Sequence, residues 1–128
     1  MQKCLLIFAV ISFGFVKLIE PTDFYKMTSE SDQYLLIDVR IWSDYEINRI
    51  PDAVWGGDLL HLNNLIHNLD VNTPLLIYCD YGDRTRVVAK ILRKKGFKKI
   101  YELNGGLSSW IDQNFPLDTT CVSDSIKS

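Results

Sequence analysis

Cysteine and histidine are scarce in this chain, and their scarcity removes whole classes of chemistry. The 128 residues include three cysteines, Cys4, Cys79 and Cys121, and two histidines, His61 and His67. No Cys-x-x-Cys pair and no Cys/His spacing suited to zinc occurs, which excludes a disulfide framework and the common zinc modules. No metal or organic cofactor is implied. The two histidines stand six apart on one expected helix and read as ordinary surface residues. Strong net charge is also missing. The formal value is -2, which argues against an electrostatic nucleic-acid binder. Positive charge is uneven, with most Lys and Arg between Arg84 and Lys99 and no acid there; a solvated helix face is the expected reading, with a partner-docking patch as the alternative. Internal repeats and low-complexity segments are absent.

A comfortable membrane span, which needs roughly 20 apolar residues, is lacking too. The nearest approach is Cys4 to Val16, behind the short positive start Met1-Gln2-Lys3. This length and polarity fit the apolar region of a secretory signal. Residues 1–16 are therefore expected to be a signal peptide or N-terminal anchor, with a first buried strand as the alternative. No Ala-x-Ala marks a cleavage site; Ser12 and Gly14, small residues two apart, favour cleavage after Gly14. The protein is then expected to be exported, to the periplasm or otherwise outside the cytoplasm. A cytoplasmic location is the alternative, and membrane contact requires that the segment stay uncleaved. Cleavage removes Cys4. Residues 118–128 are polar and expected to form a flexible tail. Cys121, in that tail, reads as a bystander, with a resolving thiol for Cys79 as the alternative.

The remaining residues, 17–117, suit one domain with a single core. Val16 to Ile19 reads as a short strand, followed by a helix from Pro21 to about Met27. Tyr34 to Val39 is a continuous apolar run suited to a parallel strand covered on both faces. Ser43-Asp44-Tyr45-Glu46 has the spacing of a capping box with Ser43 as N-cap. Pro51 must end the helix that follows. Ala53-Val54-Trp55 is a candidate strand before Gly56-Gly57, and Asp58 can cap a helix with Leu62, Leu65, Ile66 and Leu69 on one face. Leu75 to Tyr78 is a fully buried strand, and Lys99 to Leu103 another. Asn104-Gly105-Gly106 makes a turn before a helix with Leu107, Trp110 and Ile111 as its stripe. The three tryptophans read as core. This alternation predicts an α/β fold, a central parallel sheet of about five strands with helices on both faces. Ligands of such sheets bind beyond the carboxyl ends of the strands, where Asp38, Arg40, Cys79 and Asn104 should gather.

Cys79 is the focus. It ends a buried strand, and a tight loop through Asp80, Tyr81, Gly82 and Asp83 leads to a helix starting at about Arg84. Val88, Ile91 and Leu92 share one face of that helix, and Gly96 closes it. Loop and first-turn N–H groups lack helical partners and favour an anion. A cysteine thiolate is such an anion, and its stabilisation raises the fraction of nucleophile. Arg84 adds a fixed positive charge and Thr85 a hydroxyl. A structural strand-end cysteine is the bland alternative.

Cys79-Asp80-Tyr81-Gly82-Asp83-Arg84-Thr85 resembles the Cys-x-x-Gly-x-Arg-Ser/Thr loop of single-domain rhodanese-like sulfurtransferases. Leu36-Ile37-Asp38-Val39-Arg40 is similar to the family's Asp-Val-Arg strand end. Asn48-Arg49-Ile50-Pro51-Asp52-Ala53 stands where the family usually has Gly-His-Ile-Pro-Gly-Ala. Leu103-Asn104-Gly105-Gly106-Leu107-Ser108-Ser109-Trp110 resembles its Gly-Gly-x-x-x-Trp segment. The pieces occur in family order over about Lys17 to Leu117, so residues 17–117 are expected to be a rhodanese-like domain.

The resemblance implies a sulfurtransferase of the thiosulfate type. Cys79 would take a sulfane sulfur as a persulfide and yield it to cyanide, a thiol or a protein acceptor. It assigns Arg84 to the anionic donor and Thr85 to the sulfur, with Asp80, Tyr81, Gly82 and Asp83 completing the binding loop. Arg40 would attract anions at the rim, and Asp38 would brace the loop. Asp80 and Asp83 depart from the pattern by repelling an anionic donor and working against a thiolate, which favours a thiol persulfide or protein donor. Asn48-Arg49 and Asp52 depart from it in the turn. A non-catalytic interaction module is the main alternative. A phosphatase or arsenate reductase on the same fold is less suited, because such loops place five residues between cysteine and arginine and this one has four. A monomer is expected.

Overall fold

A computed structural model describes residues 13–122. The expected export segment lies outside the described residues up to residue 12, as does the tail from residue 123.

The elements are β1 (Phe15–Ile19), α1 (Pro21–Glu30), β2 (Leu35–Asp38), α2 (Trp42–Ile47), β3 (Val54–Trp55), α3 (Leu59–Ile66), β4 (Leu75–Tyr78), α4 (Asp83–Lys94), β5 (Lys99–Leu103) and α5 (Gly106–Asp112). They form the expected five-stranded sheet, in the order β1-β5-β4-β2-β3 with every pairing parallel.

β4 lies at the centre, and all four of its residues are buried. Successive side chains of a strand point to opposite faces, so this one apolar run feeds two cores. Leu75, Ile77 and Cys79 join Leu62 and Ile66 of α3 and Ala89 and Leu92 of α4. Leu76 and Tyr78 join Phe24 of α1, Tyr45 of α2, and Leu107 and Trp110 of α5.

Three local readings change. α2 starts two residues earlier than the capping-box spacing implies: Ile41 is its N-cap, no side chain caps it, and Ser43 lies in the first turn. Trp42 packs against both Tyr45 and Trp55, and that burial outweighs a cap worth about 1 kcal/mol. α1 runs on to Glu30, its last turn carried by the Thr28 hydroxyl, which donates to the Tyr25 carbonyl at 2.8 Å. Asp52 takes the left-handed conformation, φ 68°, that a glycine would adopt more freely. The turn is therefore retained on a residue type that tolerates it.

The chain after Leu117 is held further than a flexible tail from Asp118 would be. Arg49 and Asp118 exchange backbone hydrogen bonds of 3.0 and 2.8 Å. The buried Arg49 guanidinium donates to the carbonyls of Tyr45 and Thr120 and approaches the Asp118 carboxylate at 3.6 Å. The Thr120 hydroxyl and N–H, with Arg49 beside them, hold the Asp118 carboxyl below its ordinary pKa.

Candidate active site

The loop after β4 is built around the Cys79 sulfur. Cys79 is buried, and the Gly82 N–H donates to its Sγ at 3.1 Å. Gly82 reaches that position with φ 104°, a backbone state natural to glycine. A Cβ there would meet nothing within 4 Å, so the demand is conformational rather than one of space. The buried Thr85 hydroxyl donates to the Gly82 carbonyl at 2.9 Å. Thr85, which the resemblance assigned to the sulfur, therefore holds the residue whose N–H contacts the sulfur.

A second support comes from α5. The Leu107 N–H donates to the Cys79 carbonyl at 2.8 Å and the Ser108 N–H to the Asp80 carbonyl at 3.1 Å. Free amides at a helix start thus fix the backbone of the loop. Gly106 makes this approach feasible, since a Cβ on it would fall 2.5 Å from the Asp80 carbonyl carbon and oxygen. The sequence marked Gly105-Gly106 as a turn only, and the docking of α5 onto the loop went unread. A glycine pair opening a helix was the available signal.

Beneath the loop lies a buried network. The Arg40 Nε donates to both Asp38 carboxylate oxygens at 3.1 and 3.0 Å, and its Nη2 donates at 2.8 Å. Arg40 also donates to the Asn48 carbonyl and reaches the Asp80 carboxylate at 3.7 Å. Burial acts to lower the Arg40 pKa, but the hydrogen bonds and charge of Asp38 outweigh it and raise the net value. The reading of Arg40 as an anion-attracting rim residue is therefore corrected. It is 3% exposed, its charge is matched by Asp38, and it ties the strand end to the loop through Asp80. Asp38, fully buried, holds the Arg40 guanidinium in place. Tyr78 was not foreseen in this network: its hydroxyl accepts from the Ile50 N–H at 3.1 Å. Burial first, then the Asp38 carboxylate, pushes its phenol well above the ordinary range.

The remaining loop residues face outward. Tyr81 is 72% exposed, and the Asp80 side chain is half exposed. Asp83, in the first turn of α4, and Arg84 are exposed. Arg84 makes no ion pair among the described residues and is the free cation of the loop. His61 and His67 are exposed, His61 against the Asp58 carboxylate at 2.8 Å. Cys121 is exposed and unpaired. Among the described residues no cluster of His, Cys, Asp and Glu is placed to hold a metal ion.

Comparison with known proteins agrees with this architecture. The rhodanese-like domain family matches residues 20–113. The thiosulfate sulfurtransferase GlpE of Pseudomonas syringae is 32% identical over 100 residues, covering 70% of this chain and 89% of GlpE. The adenylyltransferase and sulfurtransferase UBA4 of Debaryomyces hansenii is 29% identical over 103 residues, and the match spans only 23% of its length. A rhodanese-related protein of Thermoplasma volcanium shares the fold, with a TM-score of 0.68 at 21% identity over 81% of this chain and 99% of that one. The chain belongs to the rhodanese-like domain family.

Proposed function

We propose that the chain is a sulfurtransferase that carries a sulfane sulfur on Cys79. The observation that supports this most is the Gly82 N–H aimed at the Cys79 Sγ at 3.1 Å, in a loop whose backbone is fixed from α5 and whose unpaired cation is Arg84. In the first half-reaction the Cys79 thiolate attacks the outer sulfur of thiosulfate. The sulfur–sulfur bond of the donor breaks, sulfite leaves with the electron pair, and Cys79 retains a persulfide. In the second, cyanide or a thiolate attacks the outer persulfide sulfur and Cys79 leaves as thiolate. The Gly82 amide stabilises negative charge in both, in the manner of an oxyanion hole.

Small sulfur donors and thiol or cyanide acceptors are the substrates of this reading, and a protein is the further candidate acceptor. A loop of four residues between Cys79 and Arg84 gives less room to a tetrahedral phosphate than the five of the phosphatase type. Export belongs to the proposal. A cut after Gly14 leaves all of β1, which begins at Phe15.

Steady-state formation of thiocyanate from thiosulfate and cyanide tests the reading. Parallel double-reciprocal lines are expected, with activity abolished in Cys79→Ser. Equal activity in folded Cys79→Ser overturns it, as does a folded, inactive wild type toward both thiosulfate and a thiol persulfide.

A further inference from the structure

Arg84 borders a cavity of about 280 Å³ between α3 and α4. Its walls are apolar, formed by Val39, Leu62, Val88 and Ile91. At its mouth stand Leu59 and Val87, apolar residues that are each 61% exposed. The Gly56-Gly57 turn closes one side with backbone. A Cβ on Gly57 would fall 2.0 Å from the Arg40 carbonyl oxygen, so that wall admits no side chain.

Two charged residues border the cavity, Arg84 and Asp58. The Asp58 carboxylate accepts from the His61 backbone N–H at 2.8 Å and lies 2.8 and 2.9 Å from the His61 ring Nδ1. Arg84 has no ion-pair partner among the described residues, so its guanidinium is open to an anion, while the Asp58 carboxylate is engaged with His61. The cavity meets the cysteine loop at Arg84, while Cys79 itself does not line it. Val39 belongs to the same packed cluster as Cys79, and Arg84 ends the cysteine loop.

Size and lining define the ligand. An apolar cavity of about 150 Å³ accepts benzene, so this one has room for one ring and a short chain. An exposed cation at the edge of an apolar space selects a small acid with an apolar body.

We propose that this cavity is an acceptor subsite, placed by Arg84 beside the Cys79 loop, for a small organic thiol with an arylalkyl body and one carboxylate. The inference rests on the sulfurtransferase reading. The carboxylate pairs with Arg84 and the ring fills the space between Leu62 and Ile91. The acceptor thiolate attacks the outer sulfur of the Cys79 persulfide. A new sulfur–sulfur bond forms on the acceptor, the bond to the Cys79 Sγ breaks, and Cys79 leaves as thiolate while the acceptor becomes a persulfide.

The test has two arms. In the first, 3-phenylpropanoate, which has no thiol, is titrated into the reduced protein and amide shifts are followed by NMR. Saturable shifts at Gly57 and Val88 are expected, lost in Ile91→Phe and weakened in Val87→Asp, which places a repelling charge at an exposed position. In the second, the persulfide is discharged by 2-sulfanyl-3-phenylpropanoate or by 2-sulfanylpropanoate, which differ only in the ring. A preference of roughly tenfold or more in kcat/KM for the ring-bearing thiol is expected. Absence of shifts in the folded protein overturns the cavity as a ligand site, whatever the sulfur chemistry does. Shifts with equal discharge by the two thiols overturn its role as acceptor subsite. Shifts in a protein that never loads sulfur defeat the sulfurtransferase reading, and the acceptor role with it.

Discussion

Gly106 lies so close to Asp80 that a single added carbon on it would fall 2.5 Å from the Asp80 carbonyl. Gly106 also has φ 64°. An alanine there therefore faces both backbone strain and overpacking, of about 1–2 and 1–3 kcal/mol respectively. Gly106→Ala is expected to lower stability by about 2–4 kcal/mol in chemical denaturation and to slow sulfur loading of Cys79. Wild-type loading in a fully stable Gly106→Ala protein would show that α5 does not position the loop.

Removing one partner from the Asp38–Arg40 pair leaves a buried charge unmatched. Arg40→Met is expected to cost about 3–5 kcal/mol. The double variant Asp38→Asn/Arg40→Met should lose less than the sum of its single variants, because the orphaned carboxylate is then gone. Additive losses in a double-mutant cycle would contradict the pairing. Arg40→Lys should not rescue, since an ammonium cannot reproduce the fork on both oxygens.

Thr85 supports Gly82 through one hydroxyl. Thr85→Val should lose about 1–2 kcal/mol of stability and slow sulfur loading, while Thr85→Ser keeps the donor and most of the rate. If the two variants load sulfur equally, the hydroxyl is not what holds the Gly82 amide on the sulfur.

The two loop acids differ. Asp80 is partly neutralised by Arg40 at 3.7 Å, whereas Asp83 makes no ion pair among the described residues. Asp83→Asn is therefore expected to raise kcat/KM for thiosulfate by roughly two- to fivefold, and the gain should shrink as salt screens the exposed charge. Toward a neutral donor the same variant should change little. An equal gain for charged and neutral donors would remove the electrostatic explanation.

Much of this arrangement was legible because it is written locally. The run Leu75 to Tyr78 is apolar at every position, so it had to be a strand buried on both faces, and the loop that follows it had to open at the sheet edge. Asp58 as a cap and Gly96 as a stop follow from neighbouring residues alone. What escaped depends on distant partners. Arg40 looks like a free cation until the sheet brings Asp38, Asn48 and Asp80 around it. Ser43 has the right spacing for a cap, yet the edge-to-face packing of Trp42 on Trp55, thirteen residues on, decides where α2 begins. The docking of α5 on the Cys79 loop joins residues 28 apart in the chain, beyond the reach of any periodicity. Arg49 similarly hides its partners, Asp118 and Thr120, at the far end of the chain.

The most direct test of the account is the intact mass of the protein after exposure to thiosulfate and, separately, to glutathione persulfide. One added sulfur atom that maps to Cys79 and is removed by cyanide is the predicted result. A folded protein that gains no sulfur from either donor, or gains it only at Cys121, would contradict the claim that Cys79 carries sulfur and would leave a rhodanese-like fold used for binding.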